Sequence, residues 1–240
     1  MRVVSLVPSS TETLLSLGAD VVACTRFCEQ PDLPHVGGTK NPDVDAIVRL
    51  RPDVVVLDEQ ENRREDATAL HDAGLRIFVS DVRDVVGAVA VVRELAELVG
   101  VPIPSTSPVR VPDDGSAGAS GGTSARPAFV PIWRRPWMTI GVRTYGASVL
   151  GALGWRPVGA AGDDADYPTV DLESVANEGV EAVLVPSEPY DFDERHLAEL
   201  REALPSVPVT RIDGRDLFWW GVRTPGALDR LGARLAHVAH

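Results

Sequence analysis

The sequence predicts an α/β fold of two Rossmann-like α/β lobes that are bridged by a long backbone helix and separated by a cleft. Three observations support this prediction. Short apolar runs alternate with longer helical patterns along the chain. The two halves of the chain share a weak internal repeat. An apolar stripe at helical spacing lies between the halves.

The internal repeat is visible in two pairs of segments. Residues 43–59 align without gaps with residues 171–187, and both read as a short helix opened by an aspartate, then a turn and a buried strand. Residues 11–18 align with residues 147–154, with leucine and glycine recurring at the same helix positions. We therefore expect two similar α/β lobes, one from each half.

Strands and helix starts follow from local patterns. Ser9 with Glu12, and Asn62 with Glu65, are spaced as capping boxes, and Thr224 followed by proline is a third helix start. The predicted strands are residues 3–7, 21–24, 54–57, 76–79, 129–133, 182–185 and 207–212.

The predicted domain organisation has four parts. Residues 1–81 form the N-terminal lobe, 82–101 the connecting helix, 102–127 a flexible segment and 128–240 the C-terminal lobe. The stripe of the connecting helix comprises Val85, Val86, Val89, Val92, Leu95, Ala96 and Val99. Proline, glycine, serine and alanine dominate residues 102–127, which we expect to be a mobile surface segment without a chemical role.

Composition excludes several classes of protein. A formal net charge of -12 argues against nucleic acid or an anionic membrane as partner, because such binding needs a surplus of basic residues. No apolar run is long enough to span a membrane. The N-terminus lacks a signal-peptide pattern, so the chain as written is expected to be cytoplasmic. A trimmed mature chain of a periplasmic protein or extracellular lipoprotein is the alternative.

Polar and aromatic residues follow the predicted strands, where parallel α/β folds collect functional groups. In the first half these are residues 8–10, 25–29 and 58–61, and in the second half residues 133–137, 188–190 and 218–221. Trp155 is assigned to core packing. Trp133, Trp137, Trp219 and Trp220 could equally be core residues or ligand contacts, and we expect Trp133 and Trp137 to face the cleft.

Catalytic motifs are absent from the sequence, so no enzyme is predicted. Asp58 with Glu59, and Asp163 with Asp164, are the only acid-base candidates, for an enzyme acting on a corrinoid or another small molecule. Cys24 and Cys28 are too few for a disulfide framework. Cys28 and His35, with a nearby carboxylate, are a second alternative as direct metal ligands.

Several motifs carry a family resemblance. Val3-Val-Ser-Leu-Val-Pro-Ser-Ser-Thr-Glu12, Val36-Gly-Gly-Thr-Lys-Asn-Pro-Asp43, Leu50-Arg-Pro-Asp-Val-Val-Val56 and Asp213-Gly-Arg-Asp-Leu-Phe-Trp-Trp-Gly221 resemble class III substrate-binding proteins, the helical-backbone receptors for cobalamin and iron-siderophores. The resemblance implies a bilobal protein that binds a cobalamin-like corrinoid or a ferric chelate without a required cofactor. It also implies delivery to an ABC permease, with Glu61 or Glu65 and Glu194 as docking residues.

The ligand residues implied by the resemblance lie in both lobes. They are Ser9, Ser10, Phe27, Cys28, Thr39, Asp58, Glu59, Trp133, Arg134, Trp137, Glu188, Tyr190, Asp216, Phe218, Trp219 and Trp220.

Overall fold

The computed structural model describes residues 1–102, 125–159 and 165–238, which divide into two compact units. The first unit comprises residues 1–82, 87–102 and 220–223, and the second comprises the other described residues. Most of the predicted segment 102–127, and the Asp163 and Asp164 pair, lie outside the described residues. The four predicted domain boundaries stay predictions.

The first unit contains a four-stranded parallel sheet and a small hairpin. The sheet order is β2-β1-β5-β6. The elements that precede the second sheet are β1 (Arg2–Ser5), α1 (Pro8–Ser16), β2 (Asp20–Cys24), β3 (Gly37–Gly38), β4 (Asn41–Pro42), α2 (Val44–Leu50), β5 (Val54–Asp58), α3 (Arg64–Asp72), β6 (Ile77–Ser80) and α4 (Val85–Val99).

The second unit contains another four-stranded parallel sheet, in the order β12-β11-β7-β9. Its elements are β7 (Arg126–Phe129), β8 (Trp137–Met138), α5 (Tyr145–Ala152), β9 (Trp155–Pro157), β10 (Thr169–Val170), α6 (Leu172–Ala176), β11 (Ala182–Pro186), α7 (Glu194–Ala203), β12 (Val209–Ile212), α8 (Gly214–Phe218) and α9 (Thr224–Leu235).

The two sheets have the same topology, which confirms the repeat predicted from the sequence. In each sheet the second strand along the chain lies at one edge, beside the first, followed by the third and the fourth. The longer repeated segment corresponds to α2 and β5 in one unit and to α6 and β11 in the other. The shorter one corresponds to α1 and α5.

Aspartates open the two repeated helices, as predicted. The Asp43 side chain accepts a hydrogen bond from the Ala46 amide at 2.9 Å, and the Asp171 side chain accepts one from the Ser174 amide at 3.4 Å. In both helices an otherwise unpaired N–H of the first turn gains a partner. The two helices therefore begin in the same way at equivalent positions of the repeat.

Both predicted capping boxes are wrong. Helix α1 begins at Pro8, one residue before the predicted cap Ser9, because proline supplies the φ angle of a first helical position and needs no N–H partner. Helix α3 begins at Arg64 without a side-chain cap. The Asn62 side chain instead accepts a hydrogen bond from the Asp58 amide at 2.9 Å.

The second sheet differs from its predicted strands in two places. Strand β7 ends at Phe129, whereas the predicted strand covers residues 129–133. Val130 and Ile132 are buried although they lie outside the strand, so the apolar run reflects a buried loop. Strand β9 was not predicted, because its three residues are too few to form a pattern.

Helix α4 confirms the predicted apolar stripe in part. Its buried residues are Val85, Ala88, Val91, Val92, Leu95 and Ala96. Val86, which the prediction placed in the stripe, is 51% exposed. Among the described helices, none is long and apolar enough to cross a membrane.

Candidate functional site

The loops at the carboxyl end of each sheet hold most of the predicted site residues. Parallel strands bring their carboxyl ends to one edge, and ligands of α/β folds bind at that edge. In the first unit, Thr25 follows β2 and Glu59 follows β5. In the second unit, residues 130–133 follow β7 and Ser187 follows β11.

Asp58, the last residue of β5, is a buried carboxyl group with internal partners. It is 2% exposed, and its oxygens accept hydrogen bonds from the Ser80 hydroxyl at 2.8 Å and the Gln60 amide at 3.0 Å. Burial raises the pKa of Asp58 to about 6, although these hydrogen bonds act in the opposite direction. Asp58 therefore stabilises its own loop and is not open at the surface, as a ligand residue would be.

Asn62, which was predicted to cap a helix, instead connects three backbone segments at this edge. Its side-chain oxygen accepts from the Asp58 amide, and its side-chain nitrogen donates to the Thr39 carbonyl at 2.9 Å and to the Leu6 carbonyl at 3.4 Å. One buried side chain thus connects the ends of β1 and β5 with the β3-β4 hairpin. Thr39 itself is half-buried, and Glu59 is exposed.

Cys28 lies in a buried polar cluster beneath the loop that follows β2. Its sulfur accepts a hydrogen bond from the Thr11 hydroxyl at 3.1 Å and lies 3.2 Å from the Thr25 hydroxyl. A hydrogen bond from Cys24 lowers the pKa of Cys28 to about 6, and the same interaction raises the pKa of Cys24. The predicted contact of Cys28 with a ligand is not open, because Cys28 is 2% exposed.

Phe27 is the exposed aromatic residue of the first unit's edge. Its ring is 49% exposed and has the Arg26 guanidinium 4.7 Å from its centroid. Gly38 lies against this pair, since a β-carbon at Gly38 would come within 3.0 Å of the Phe27 ring. Arg26 is itself exposed, so a cation lies beside the exposed ring at this edge.

Trp133 is the exposed aromatic residue of the second unit's edge. It is 47% exposed and packs edge-on against Tyr190, with ring centroids 5.0 Å apart. The half-buried Tyr190 in turn contacts Phe192, at a centroid distance of 4.7 Å. Trp133 is therefore supported on one side by a group of packed aromatic rings.

Trp137 was predicted to face the cleft, and the structure places it in the core of the second unit. It is 7% exposed and stacks on Phe192 with a centroid distance of 5.9 Å. The Arg134 guanidinium lies 4.8 Å from the Trp137 ring and forms two hydrogen bonds with the Glu199 carboxylate. Arg134 is therefore an internal partner too, and it lowers the pKa of Glu199.

The segment after β12 also differs from its predicted role. Asp216 is 3% exposed and forms two hydrogen bonds with the Arg230 guanidinium, and Trp220 is buried. Trp219 is half-buried and donates from its indole to the Glu188 carboxylate at 2.7 Å. Phe218 is also half-buried. Glu188, Phe218 and Trp219 are thus the partly accessible members of this group.

The serines after β1 are not accessible either. Ser9 and Ser10 are both buried, and the Ser10 hydroxyl has no hydrogen-bond partner among the described residues. Their predicted ligand contacts conflict with this burial. Both serines belong to the first turn of helix α1, which begins at Pro8.

The proposed docking glutamates are surface residues. Glu61 and Glu65 are exposed, and Glu194 is 75% exposed in its side chain with Arg211 3.2 Å away. Surface ion pairs of this kind contribute about 0–1 kcal/mol. The pair therefore leaves Glu194 able to exchange partners, and the docking role stays a prediction.

The alternative metal site is not assembled in the described part of the chain. There, no group of three or more His, Cys, Asp or Glu side chains is close enough to hold a metal ion. His35 is exposed, and its ring nitrogen lies 3.0 Å from the Gln30 carbonyl oxygen. Cys28 is enclosed by hydroxyl groups, so the mixed site with His35 that the sequence suggested does not form.

Comparison by sequence identifies a family over the first part of the chain. Residues 3–102 match the model of a family described as periplasmic binding protein. No curated protein matches the chain.

Solved structures match over nearly the whole chain. The periplasmic heme-binding protein BhuT, in complex with two hemes, has a TM-score of 0.76 and 20% identity, covering 100% of this chain and 99% of that chain. A periplasmic heme-binding protein from Pseudomonas aeruginosa has a TM-score of 0.77 and 22% identity, covering 97% and 91%. The periplasmic vitamin B12 binding protein BtuF of Vibrio cholerae has a TM-score of 0.71 and 17% identity, covering 99% and 97%.

The resemblance carried by the sequence motifs is therefore confirmed over residues 3–102, which match the periplasmic binding protein family, and for the rest of the chain the solved structures show the same fold.

Proposed function

We propose that this chain is a substrate-binding protein for a flat metal chelate, of the cobalamin or ferric-chelate type. The observation that carries the proposal is that Phe27 and Trp133 are exposed aromatic residues at the carboxyl edges of two sheets with the same topology. Aromatic side chains are enriched where proteins bind partners, and a ring face suits a planar ligand. No cofactor is required for such reversible binding.

Charged groups beside the rings fit the polar edge of such a ligand. Arg26 lies over Phe27, and Arg135, two residues after Trp133, is exposed. Guanidinium groups bind carboxylates and other oxygen acceptors and also stack on flat rings. Each edge thus offers an apolar face and a cation, which matches a macrocycle or chelate with acidic or amide substituents.

The comparisons support the same ligand class, since proteins of this fold bind heme or vitamin B12. By the same reasoning we propose that the chain delivers its ligand to an ABC permease, with Glu61 or Glu65 and Glu194 as contacts. Because the similar proteins are periplasmic, we propose that it acts outside the cytoplasmic membrane. This is the second of the two locations that the sequence allowed.

The proposal is tested by titration of the purified protein. Hemin, cyanocobalamin, a ferric hydroxamate and a ferric catecholate are each added while tryptophan fluorescence and thermal unfolding are followed. We expect one of them to quench the fluorescence and raise the melting temperature. Trp133→Ala should weaken that ligand's affinity about 10–30-fold, which corresponds to about 1.4–2 kcal/mol.

Val86→Ala is the matched control, because it removes an exposed apolar side chain from a helix and not from a strand end. Its affinity should equal that of the unmodified protein. Absence of quenching and of a thermal shift with all four compounds would overturn the proposal. If Trp133→Ala and Val86→Ala had the same affinity for the ligand, Trp133 would not be a ligand contact.

A further inference from the structure

The exposed ring of Phe27 lies in a tight turn that is fixed by hydrogen bonds at both ends. The turn spans residues 25–28, and the Cys28 amide donates to the Thr25 carbonyl at 3.1 Å. Within the turn, the Phe27 amide donates to the Thr25 hydroxyl oxygen at 3.3 Å. The two end residues are buried, whereas Arg26 and Phe27 between them are exposed.

The exposed side of the turn packs against the hairpin of β3 and β4. The Arg26 amide donates to the Gly37 carbonyl at 3.0 Å. A β-carbon at Gly38 would come within 3.0 Å of the Phe27 ring and within 3.3 Å of the Arg26 guanidinium. Both side chains are therefore packed closely on a residue without a side chain, and a small displacement of the turn would separate them from it.

The sulfur of Cys28 anchors the buried side of the same turn. It lies 3.1 Å from the Thr11 hydroxyl of helix α1 and 3.2 Å from the Thr25 hydroxyl. The Thr11 hydroxyl also lies 2.8 Å from the Ser5 hydroxyl and 2.8 Å from the Val7 carbonyl oxygen. Through this one sulfur, the loop that follows β2 is connected to helix α1 and to the end of β1.

Cys28 differs from the other buried polar residues of this edge because it adjoins the exposed ring in the chain. Asn62 connects backbone segments outside this turn, so its loss should act on stability. A shift of Cys28, in contrast, moves the backbone of Phe27 with it. A ring that is already fixed when the ligand arrives loses less conformational entropy on binding, which favours affinity.

We propose that Cys28 is a positioning residue of the ligand site, and that its thiol fixes the Phe27 ring in the orientation that contacts the chelate. The proposal rests on the proposed chelate-binding function. A thiol suits this place, because it can donate weakly to one hydroxyl group and accept from another. Cys28 therefore serves the site without ligand contact, consistent with its 2% exposure.

The test measures affinity for whichever of hemin, cyanocobalamin, a ferric hydroxamate and a ferric catecholate the unmodified chain binds. Cys28→Ala should lower that affinity about 3–10-fold, because the ring must then be ordered on binding. Cys28→Ser retains a hydrogen-bonding group and should lose less. Thr11→Val removes one hydroxyl partner of the sulfur and should also lower the affinity.

Ile47→Val is the matched control for a general loss of stability. It removes one methylene group from a fully buried side chain in the core of the first unit. The unfolding midpoint should fall, and the affinity should stay the same. An affinity loss in Ile47→Val equal to that in Cys28→Ala would overturn the proposal, and so would unchanged affinity in both Cys28→Ala and Thr11→Val.

A double-mutant cycle tests whether Cys28 acts through the ring. If it does, its loss should matter little once the ring is gone. The double variant Phe27→Ala/Cys28→Ala should therefore lose much less affinity than the product of the two single fold-losses. A double loss equal to that product would mean that the two residues act independently, which contradicts the positioning role.

Fluorine NMR tests the same role without a ligand. The chain has five phenylalanines, and after labelling with 4-fluorophenylalanine the Phe27 resonance is the one missing in Phe27→Leu. Cys28→Ala should shift this resonance toward that of the free amino acid, whereas Ile47→Val should not. Absence of binding to all four compounds would overturn the proposed function and this role with it. Binding by the unmodified chain, with an unchanged Phe27 resonance in Cys28→Ala, would overturn the positioning role alone.

Discussion

The carboxyl edges of the two sheets have the same topology but opposite chemistry. The first is held by buried polar groups, among which Asn62 connects three backbone segments and Asp58 accepts from Ser80. The second is held by aromatic rings, with Trp137 stacked on Phe192 and Trp133 against Tyr190. The shared strand order therefore determines where the loops come together. The residues of the loops determine whether hydrogen bonds or aromatic packing stabilises them.

The difference also assigns separate roles within each edge. In both units one layer of residues fixes the loops internally, and an aromatic side chain of the same edge is exposed. These exposed residues are Phe27 in the first unit and Trp133 in the second. Changes to the internal layer should therefore alter stability, whereas changes to the exposed residue should alter binding.

Trp137→Ala should have the largest effect on stability. It removes a buried indole from the second core and also the ring beneath Arg134, so the free energy of unfolding should fall by about 3–5 kcal/mol. Urea unfolding followed by circular dichroism measures it. Trp137→Phe, which keeps a ring against Phe192, should lose less. If Trp137→Ala had an unchanged unfolding midpoint but lost ligand affinity, Trp137 would be a ligand contact and not a core residue.

Asn62→Ala is the corresponding change in the first unit. It leaves the Asp58 amide and the carbonyls of Thr39 and Leu6 without their partner, at a cost of about 3 kcal/mol in the same urea experiment. Gln60→Ala is the control, and its longer hydrogen bonds predict a loss below about 1 kcal/mol. Equal losses in the two variants would show that Asn62 has no special role.

The pH dependence of stability should distinguish the polar edge from the aromatic one. The pKa of Asp58 is raised to about 6 from an ordinary value of 3.8, so the folded state binds the proton more tightly than the unfolded state. Its ionised form is a cost to folding above pH 6. As the pH falls from about 6 to about 4, protonation of Asp58 should raise the free energy of unfolding by about 2 kcal/mol.

Asp58→Asn isolates this contribution from those of other titrating groups. The difference between the variant and the unmodified protein should change over this pH interval and be constant above it. Glu59→Gln, which alters the exposed neighbouring carboxylate, should retain the full pH dependence. A pH profile that is the same in Asp58→Asn and in the unmodified chain would contradict the assignment.

The fold was predictable because its information is local and repeated. Apolar runs located most strands, and Asp43 and Asp171 marked the starts of equivalent helices. The two-fold repeat can therefore be detected in the sequence. The contacts of individual side chains could not be predicted from such local patterns. Asn62 bonds to Leu6, 56 residues earlier in the chain, and no local pattern separates that role from a helix cap.

The tryptophans of the second edge show the same limit. Trp133 and Trp137 lie in one hairpin, and the loop conformation points one outward and the other into the core. Both residues have arginine and proline neighbours in sequence, so composition cannot distinguish them. Burial depended on Phe192, which β11 and its following loop bring beside Trp137.

The return of residues 220–223 to the first unit has a consequence for synthesis on the ribosome. Arg223 forms a two-pronged pair with Glu12 at 2.6 and 2.8 Å, and the Val222 amide donates to Thr13 at 3.4 Å. Helix α1 is among the first segments to emerge, yet its partners are translated more than two hundred residues later. Helix α1 is therefore synthesised early, but the contacts that complete its unit can form only after residues 220–223 have been translated.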